Sequence, residues 1–188
     1  DWLMDQQVLP DHVEDRYVAA ALDIADIVDE YMVGVPVHRI HGDLHLSNLI
    51  ERQGLLHLLD FDDMVVGPAV QDCWLLLAGR DAYAMRQREV FLTAYEQFRD
   101  FDRSTLRLIE PLRALRFIHY AAWIARRWHD PAFPRTWPHY GTDAYWETEM
   151  IDLEEQLARI RSEDPMMVAA VEEEPELTNK DFFWDMED

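Results

Sequence analysis

The sequence predicts a mainly α-helical fold carrying one small β hairpin, an α+β arrangement. Three observations support this: apolar residues recur at steps of three and four before Gly34 and again beyond Pro68, two short apolar runs flank a turn at Gly54, and 49% of the 188 residues are hydrophobic, enough for a packed core.

From Val13 to Tyr31 the positions Val13, Tyr17, Ala20, Ile24, Ile27 and Tyr31 form one helical stripe, which Gly34 and Pro36 end. VHRI follows, then the polar stretch HGDLHLSN. LIE and LLHLL on either side of Gly54 read as an antiparallel hairpin. AVQDCWLLLAG reads as a helix with Pro68 near its first turn and Gly79 beyond its last. REVFLTAYEQF has helical spacing. Ser104 is positioned to cap a segment that Pro111 should interrupt or restart. Leu112 to Trp128 is apolar on nearly every side, which predicts a central buried helix. HDPAFPRTWPHYG reads as a loop, and Thr142 as the cap of a last helix running to about Arg161. Residues 163–188 form an acidic tail expected to be disordered, the alternative being that Phe182, Phe183 and Trp184 dock on a partner. There is no internal repeat.

The chemistry concentrates around the hairpin. Asn48 precedes its first strand, Asp60 ends its second, and both lie six residues from Gly54, so a turn centred there would make them face each other. An amide oxygen beside a carboxylate suits magnesium, which leaves its other positions to water and phosphate. Asp43, one short loop earlier, is placed to orient a hydroxyl and accept its proton.

His41, Gly42, Asp43 and Asn48 resemble the kinase catalytic-loop pattern H-x-D-x-x-x-x-N, and Leu59, Asp60 and Phe61 resemble the start of the kinase metal-binding segment. HGD in place of HRD is similar to the aminoglycoside phosphotransferase and choline kinase branch. GPAVQDCWLLLAG followed by IEPLRALRFIHYAAWIARRWHDPAFP resembles, more narrowly, the bacterial stress-response kinase A family of serine/threonine protein kinases. The resemblance spans roughly residues 12 to 160. It implies a protein-kinase-like C-terminal lobe over residues 1–162 and magnesium-dependent phosphoryl transfer from ATP to a protein serine or threonine hydroxyl. Asp43 would be the base, and Asn48 and Asp60 the magnesium ligands, Asp60 counting also as catalytic. His41 would support the loop and Asp72 would brace it, unless Asp72 merely caps its helix. His41, His45 and Ser47 read as structural, and Asp62 and Asp63 as solvated turn residues. Asp62 stands where eukaryotic-type kinases carry a glycine, and the few residues before Pro68 leave no room for a long activation loop.

Such an enzyme also needs a glycine-rich loop over the nucleotide phosphates and a strand lysine. The six glycines are scattered and the only lysine is Lys180, so no nucleotide-binding residue is identified in this chain, and the N-terminal lobe is expected to be absent from it. The chain alone is expected to have little or no turnover, and exposed apolar surface would favour its self-association.

Rival readings use the same letters differently. Asp43 and His45 as D-x-H, with His41 and Asp60, resemble part of a two-metal phosphoesterase site, although no G-N-H-D cluster follows. The others are a small-molecule hydroxyl kinase and a non-catalytic kinase-lobe binding module. Arg113, Arg116, Tyr120, Trp123 and Arg127 share a helical stripe that either lines an acceptor cleft or pairs internally with surplus carboxylates. The loop from Asp130 to Tyr140 is either an aromatic rim of the acceptor site or a plug over the core.

Thirty-eight acidic residues against seventeen basic give a net charge of -21, a field that repels nucleic acid and anionic membrane surfaces. The lone Cys73 suits a reducing cytoplasm, no signal peptide is recognised, and the complete protein is expected to be a monomer.

Overall fold

The structure is a computed structural model that describes residues 2–162, so the expectations for the acidic tail fall outside the described residues. The described chain gathers into two compact units. One takes the residues up to Glu30 and those from Glu110 on; the other is Tyr31–Ile109.

The first unit is helical. α1 (Trp2–Asp5) leads into α2 (Asp11–Met32), whose last residues pass into the second unit. The predicted stripe is the buried face: Val13, Tyr17, Ala20 and Ile24 all pack inward. They meet Ala114, Ala121 and Ile124 of α5 (Ile109–Arg127) and Trp146, Met150, Leu153 and Leu157 of α7 (Asp143–Ile160). Each fully buried aliphatic side chain contributes roughly 1.5–3 kcal/mol, so this seam dominates the unit. Trp146 sits edge-on to Tyr17 with ring centroids 5.9 Å apart. As predicted, Thr142 caps α7, its Oγ accepting from the Tyr145 amide at 3.2 Å.

Two readings of this region change, and two open ones are decided. α5 is not buried on every side, since His119, Arg126 and Arg127 are exposed and Leu115, Ile118 and Ala122 only half-buried. Packing on one flank suffices for its apolar residues, and the rest of its circumference faces outward. The loop after Asp130 contains a short helix, α6 (Ala132–Thr136), because the Asp130 carboxylate accepts from the Ala132 amide at 2.9 Å and starts a turn. Its Phe133 and Trp137 rings stack 5.1 Å apart and both meet Trp123 of α5, at 5.1 and 5.8 Å, against the unit's own core. That packing matches the plug. Arg113 is 2% exposed with Nε 3.4 Å from Glu110, and Arg127 lies 4.6 Å over the Trp123 ring, so both are used internally.

The second unit holds two small antiparallel sheets. β2 (Leu49–Arg52) and β3 (Leu55–Leu58) form the predicted hairpin, joined by Gln53 and Gly54 at φ 56° and 76°, the twin left-handed conformation that suits a two-residue hairpin turn. β1 (His38–Ile40), read as VHRI, pairs with β4 (Val65–Gly67), a strand the sequence reading left out. Much of this strand surface is apolar and exposed, including Ile50, Leu55, Leu56, Val65 and Val66.

α3 (Val70–Leu76) and α4 (Ala82–Tyr95) complete the unit, with a 3-10 segment at Arg103–Leu108. Asp102, not Ser104, caps that segment: its Oδ1 accepts from the Ser104 amide at 3.0 Å and from the Ser104 hydroxyl at 2.6 Å. A carboxylate answers the amides at a helix start better than a hydroxyl does. Pro111 falls in the first turn of α5, where its missing N–H has no partner to lose.

Arg88 of α4 is 5% exposed and donates to the Leu77 and Gly79 carbonyls at 3.3 and 3.1 Å. It thereby ties α4 to the chain leaving α3. Arg88→Ala is expected to lower stability by roughly 2–4 kcal/mol, through a cavity and two stranded carbonyls, read as a lower urea midpoint at unchanged m. Arg88→Lys should recover only part, because both bonds leave Nη2 and the lysine side chain, one atom shorter, does not bring its nitrogen to that place.

Candidate active site

All the predicted site residues belong to the second unit. The stretch from His41 to His45 leaves β1 and enters a single 3-10 turn, Leu46–Asn48, which feeds β2. A loop this polar needs external anchors, and Asp72 of α3 supplies two. Its Oδ2 accepts from the His41 amide at 2.8 Å and its Oδ1 from the Gly42 amide at 2.9 Å. Asp72 is therefore a brace for the loop rather than a cap for its own helix. A charged acceptor holding two backbone donors is stronger than a neutral one would be.

Two further residues that the sequence reading missed extend this brace. Gln71 donates through Nε2 to the Gly42 carbonyl at 3.3 Å, and the Trp74 indole donates to Gln71 Oε1 at 3.0 Å. Their only sequence signal is the i, i+3 spacing on α3, which is too common to single them out. His41 ties the same loop to the far end of the hairpin, with Nε2 2.7 Å from the Leu59 carbonyl and its ring 5.0 Å from that of Phe61. The support expected of it is what the contacts provide.

Gly42 shows why arginine is not tolerated between His41 and Asp43. Its φ is +87°, and a Cβ there would lie 2.3 Å from the Asp63 carbonyl oxygen. Asp63 thus matters through its backbone, while its side chain and that of Asp62 are exposed.

Asp43 and Asn48 are both buried, at 9% exposure. Asn48 Nδ2 donates to the Asp43 carbonyl at 2.9 Å, which orients the amide and turns its oxygen into the acceptor that remains for a cation. His45 Nε2 lies 3.3 Å from Asp43 Oδ2 and 3.3 Å from Asn48 Nδ2. One ring nitrogen cannot donate to the carboxylate and accept from the amide at once, so the tautomer of His45 decides which of the two contacts is a hydrogen bond. His45 therefore contacts both Asp43 and Asn48, as a residue supporting the loop would.

Asp60 is corrected in position. The hairpin register pairs Leu49 with Leu58, and the Leu59 amide donates to the Asn48 carbonyl at 2.9 Å. Asn48 therefore opposes Leu59, and Asp60 stands one residue further on. The reason is the turn: it centres between Gln53 and Gly54 rather than on Gly54. Asp60 takes φ 58°, a left-handed conformation uncommon outside glycine, so its side chain does not continue the pleat of β3.

Asn48 and Asp60 offer hard oxygen donors of the kind magnesium uses. Among the described residues no three His, Cys, Asp or Glu side chains converge into a metal-binding group. His41, Asp43, His45 and Asp60 are thus not gathered into the binuclear set of a phosphoesterase. Behind the loop, burial and then Arg99 hold His38 below its ordinary pKa, and its Nε2 lies 3.3 Å from the Tyr95 hydroxyl.

The model of the phosphotransferase enzyme family (APH) matches residues 1–109. Stress response kinase A of Escherichia coli K12 is 38% identical over 165 residues, covering 87% of this chain and 50% of the relative. The serine/threonine protein kinase RdoA of Salmonella typhimurium is 43% identical over 130 residues, covering 69% of this chain and 39% of the relative. The chain thus spans about half the length of the curated relatives it matches. No helix among the described residues is long and apolar enough to cross a membrane.

Proposed function

We propose, for a chain that belongs to the phosphotransferase enzyme family, that it supplies the catalytic-loop half of a magnesium-dependent kinase transferring the γ-phosphoryl group of ATP to a protein serine or threonine hydroxyl. The observation that carries the reading is the pairing of a buried Asp43 with an Asn48 whose amide nitrogen is tied to the Asp43 backbone. A base and a cation ligand are thereby held at one fixed spacing.

Asp43 orients the acceptor hydroxyl and takes its proton as the new bond to phosphorus forms. Asp72 and His41 keep the loop from yielding when the acceptor arrives. Asn48 and Asp60 would hold magnesium, which when bound neutralises charge on the phosphates. Asp60 leads through β4 directly to α3, which supports operation without a phosphorylated activation loop. The glycine-rich loop and lysine that grip the nucleotide belong, in this reading, to a portion of the longer protein outside this chain. The choice of a protein acceptor is supported by the name of the Salmonella relative. A monomeric protein in a reducing cytoplasm accords with the buried free thiol of Cys73.

The test is γ-phosphate transfer by a polypeptide of the relatives' full length, offered serine/threonine peptides beside aminoglycosides and choline. Peptide phosphorylation supports the reading, and exclusive phosphorylation of the small hydroxyl compounds overturns the acceptor. Asn48→Ala should raise the magnesium concentration for half-maximal rate by at least about tenfold, without altering the oligomeric state.

A further inference from the structure

In the helical unit, α1, α2 and α5 border a cavity of about 330 Å³ that none of the candidate site residues lines. Small side chains create it: Ala21 and Ala25 lie one turn apart on α2, and Ala122 lines it from α5. Leu22 and Ile118 extend its apolar wall, and Trp2 and Met4 of α1 line it too. The volume lies in the range of small-molecule sites, roughly 300–1,000 Å³.

The charge of the wall departs from that of the chain. The protein carries 38 acidic and 17 basic residues, yet no Asp or Glu lines this cavity, whereas His119 and Arg126 do. The Arg126 guanidinium lies 5.1 Å over the Trp2 ring, which places this exposed cation beside the apolar space. Tyr17 also lines it, but burial, then Glu149 and Tyr140, push its phenol well above the ordinary range, so it adds no negative charge.

We infer that the cavity binds a small amphipathic carboxylate, an apolar body of on the order of a dozen non-hydrogen atoms at protein packing density with one anionic end. The body fills the slot beside the alanines and the carboxylate meets Arg126, whose paired N–H groups match two oxygens.

The test titrates octanoate into the 188-residue chain, with octanol and octylamine as controls, following side-chain methyl resonances. Octanoate is expected to shift Met4, Leu22 and Ile118 and to bind at least about tenfold more tightly than octylamine. Arg126→Gln should abolish that preference and leave octanol binding unchanged, while Ala122→Leu should weaken all three by filling the slot. Because Ala122→Leu risks disturbing α5, the exposed Arg126 carries the decision. Absence of octanoate binding, equal binding of octylamine, an unaltered preference in Arg126→Gln, or shifts confined to Leu55 and Leu56 of the exposed hairpin would each overturn the assignment.

Discussion

Asp43→Asn, made in a polypeptide of the relatives' full length, is expected to lower kcat by roughly 10²–10⁴-fold with little change in the KM for ATP. The substitution keeps the shape of the side chain and removes its capacity to accept a proton. The Asp43 carbonyl still receives the Asn48 amide, and Asp72 still holds the two amides before it, so the loop keeps its backbone anchors. A loss confined to KM would place Asp43 in binding alone and sink its role as base. The same assay on the 188-residue chain should show little or no transfer. Robust transfer by this chain, abolished by Asp43→Ala, would refute the division of labour proposed above.

Gly42→Ala is expected to be the most damaging of the glycine substitutions. Adding a methyl at φ +87° costs about 1–2 kcal/mol in backbone strain alone, and its Cβ would fall 2.3 Å from the Asp63 carbonyl oxygen. Relief requires moving either the loop braced by Asp72 or the turn before β4, which adds about 1–3 kcal/mol. Thermal or urea unfolding should therefore show a loss of roughly 2–5 kcal/mol. Gly34→Ala is the matched control, since it has φ +75° with nothing within 4 Å of the new Cβ. It should lose only the strain. Equal losses for the two variants would mean that the approach to Asp63 carries no energetic weight.

Local features were the ones legible in sequence. The α2 stripe, the Thr142 cap, the hairpin and the spacing of Asp43 from Asn48 depend on residues a few positions apart, where steric preference and periodicity act directly. The hairpin register shows the limit. Moving the turn centre by half a residue, from Gly54 to the Gln53–Gly54 pair, places Leu59 rather than Asp60 opposite Asn48. Alternation of side chains makes such a slip consequential, and the left-handed Asp60 departs from the alternation altogether. The aromatic loop was undecidable from composition because a rim and a plug need the same residues. Only the mutual packing of Trp123, Phe133 and Trp137 favours the plug.

By itself the sequence determined the helical class, the hairpin and most of the element order, and it singled out Asp43, Asn48 and Asp60 as candidates, because these follow from residue type and short-range spacing. The tertiary structure decided what each polar group spends its bonds on. Asp72 reaches back across some thirty positions to two loop amides, |i−j| 31 and 30, and Gln71 reaches the Gly42 carbonyl across 29. β4 finds β1, and Arg126 comes to lie over Trp2 beside a cavity. Contacts this distant along the chain leave no periodic trace. They exist because buried amides and carbonyls must be answered by whichever partner the packing brings within reach.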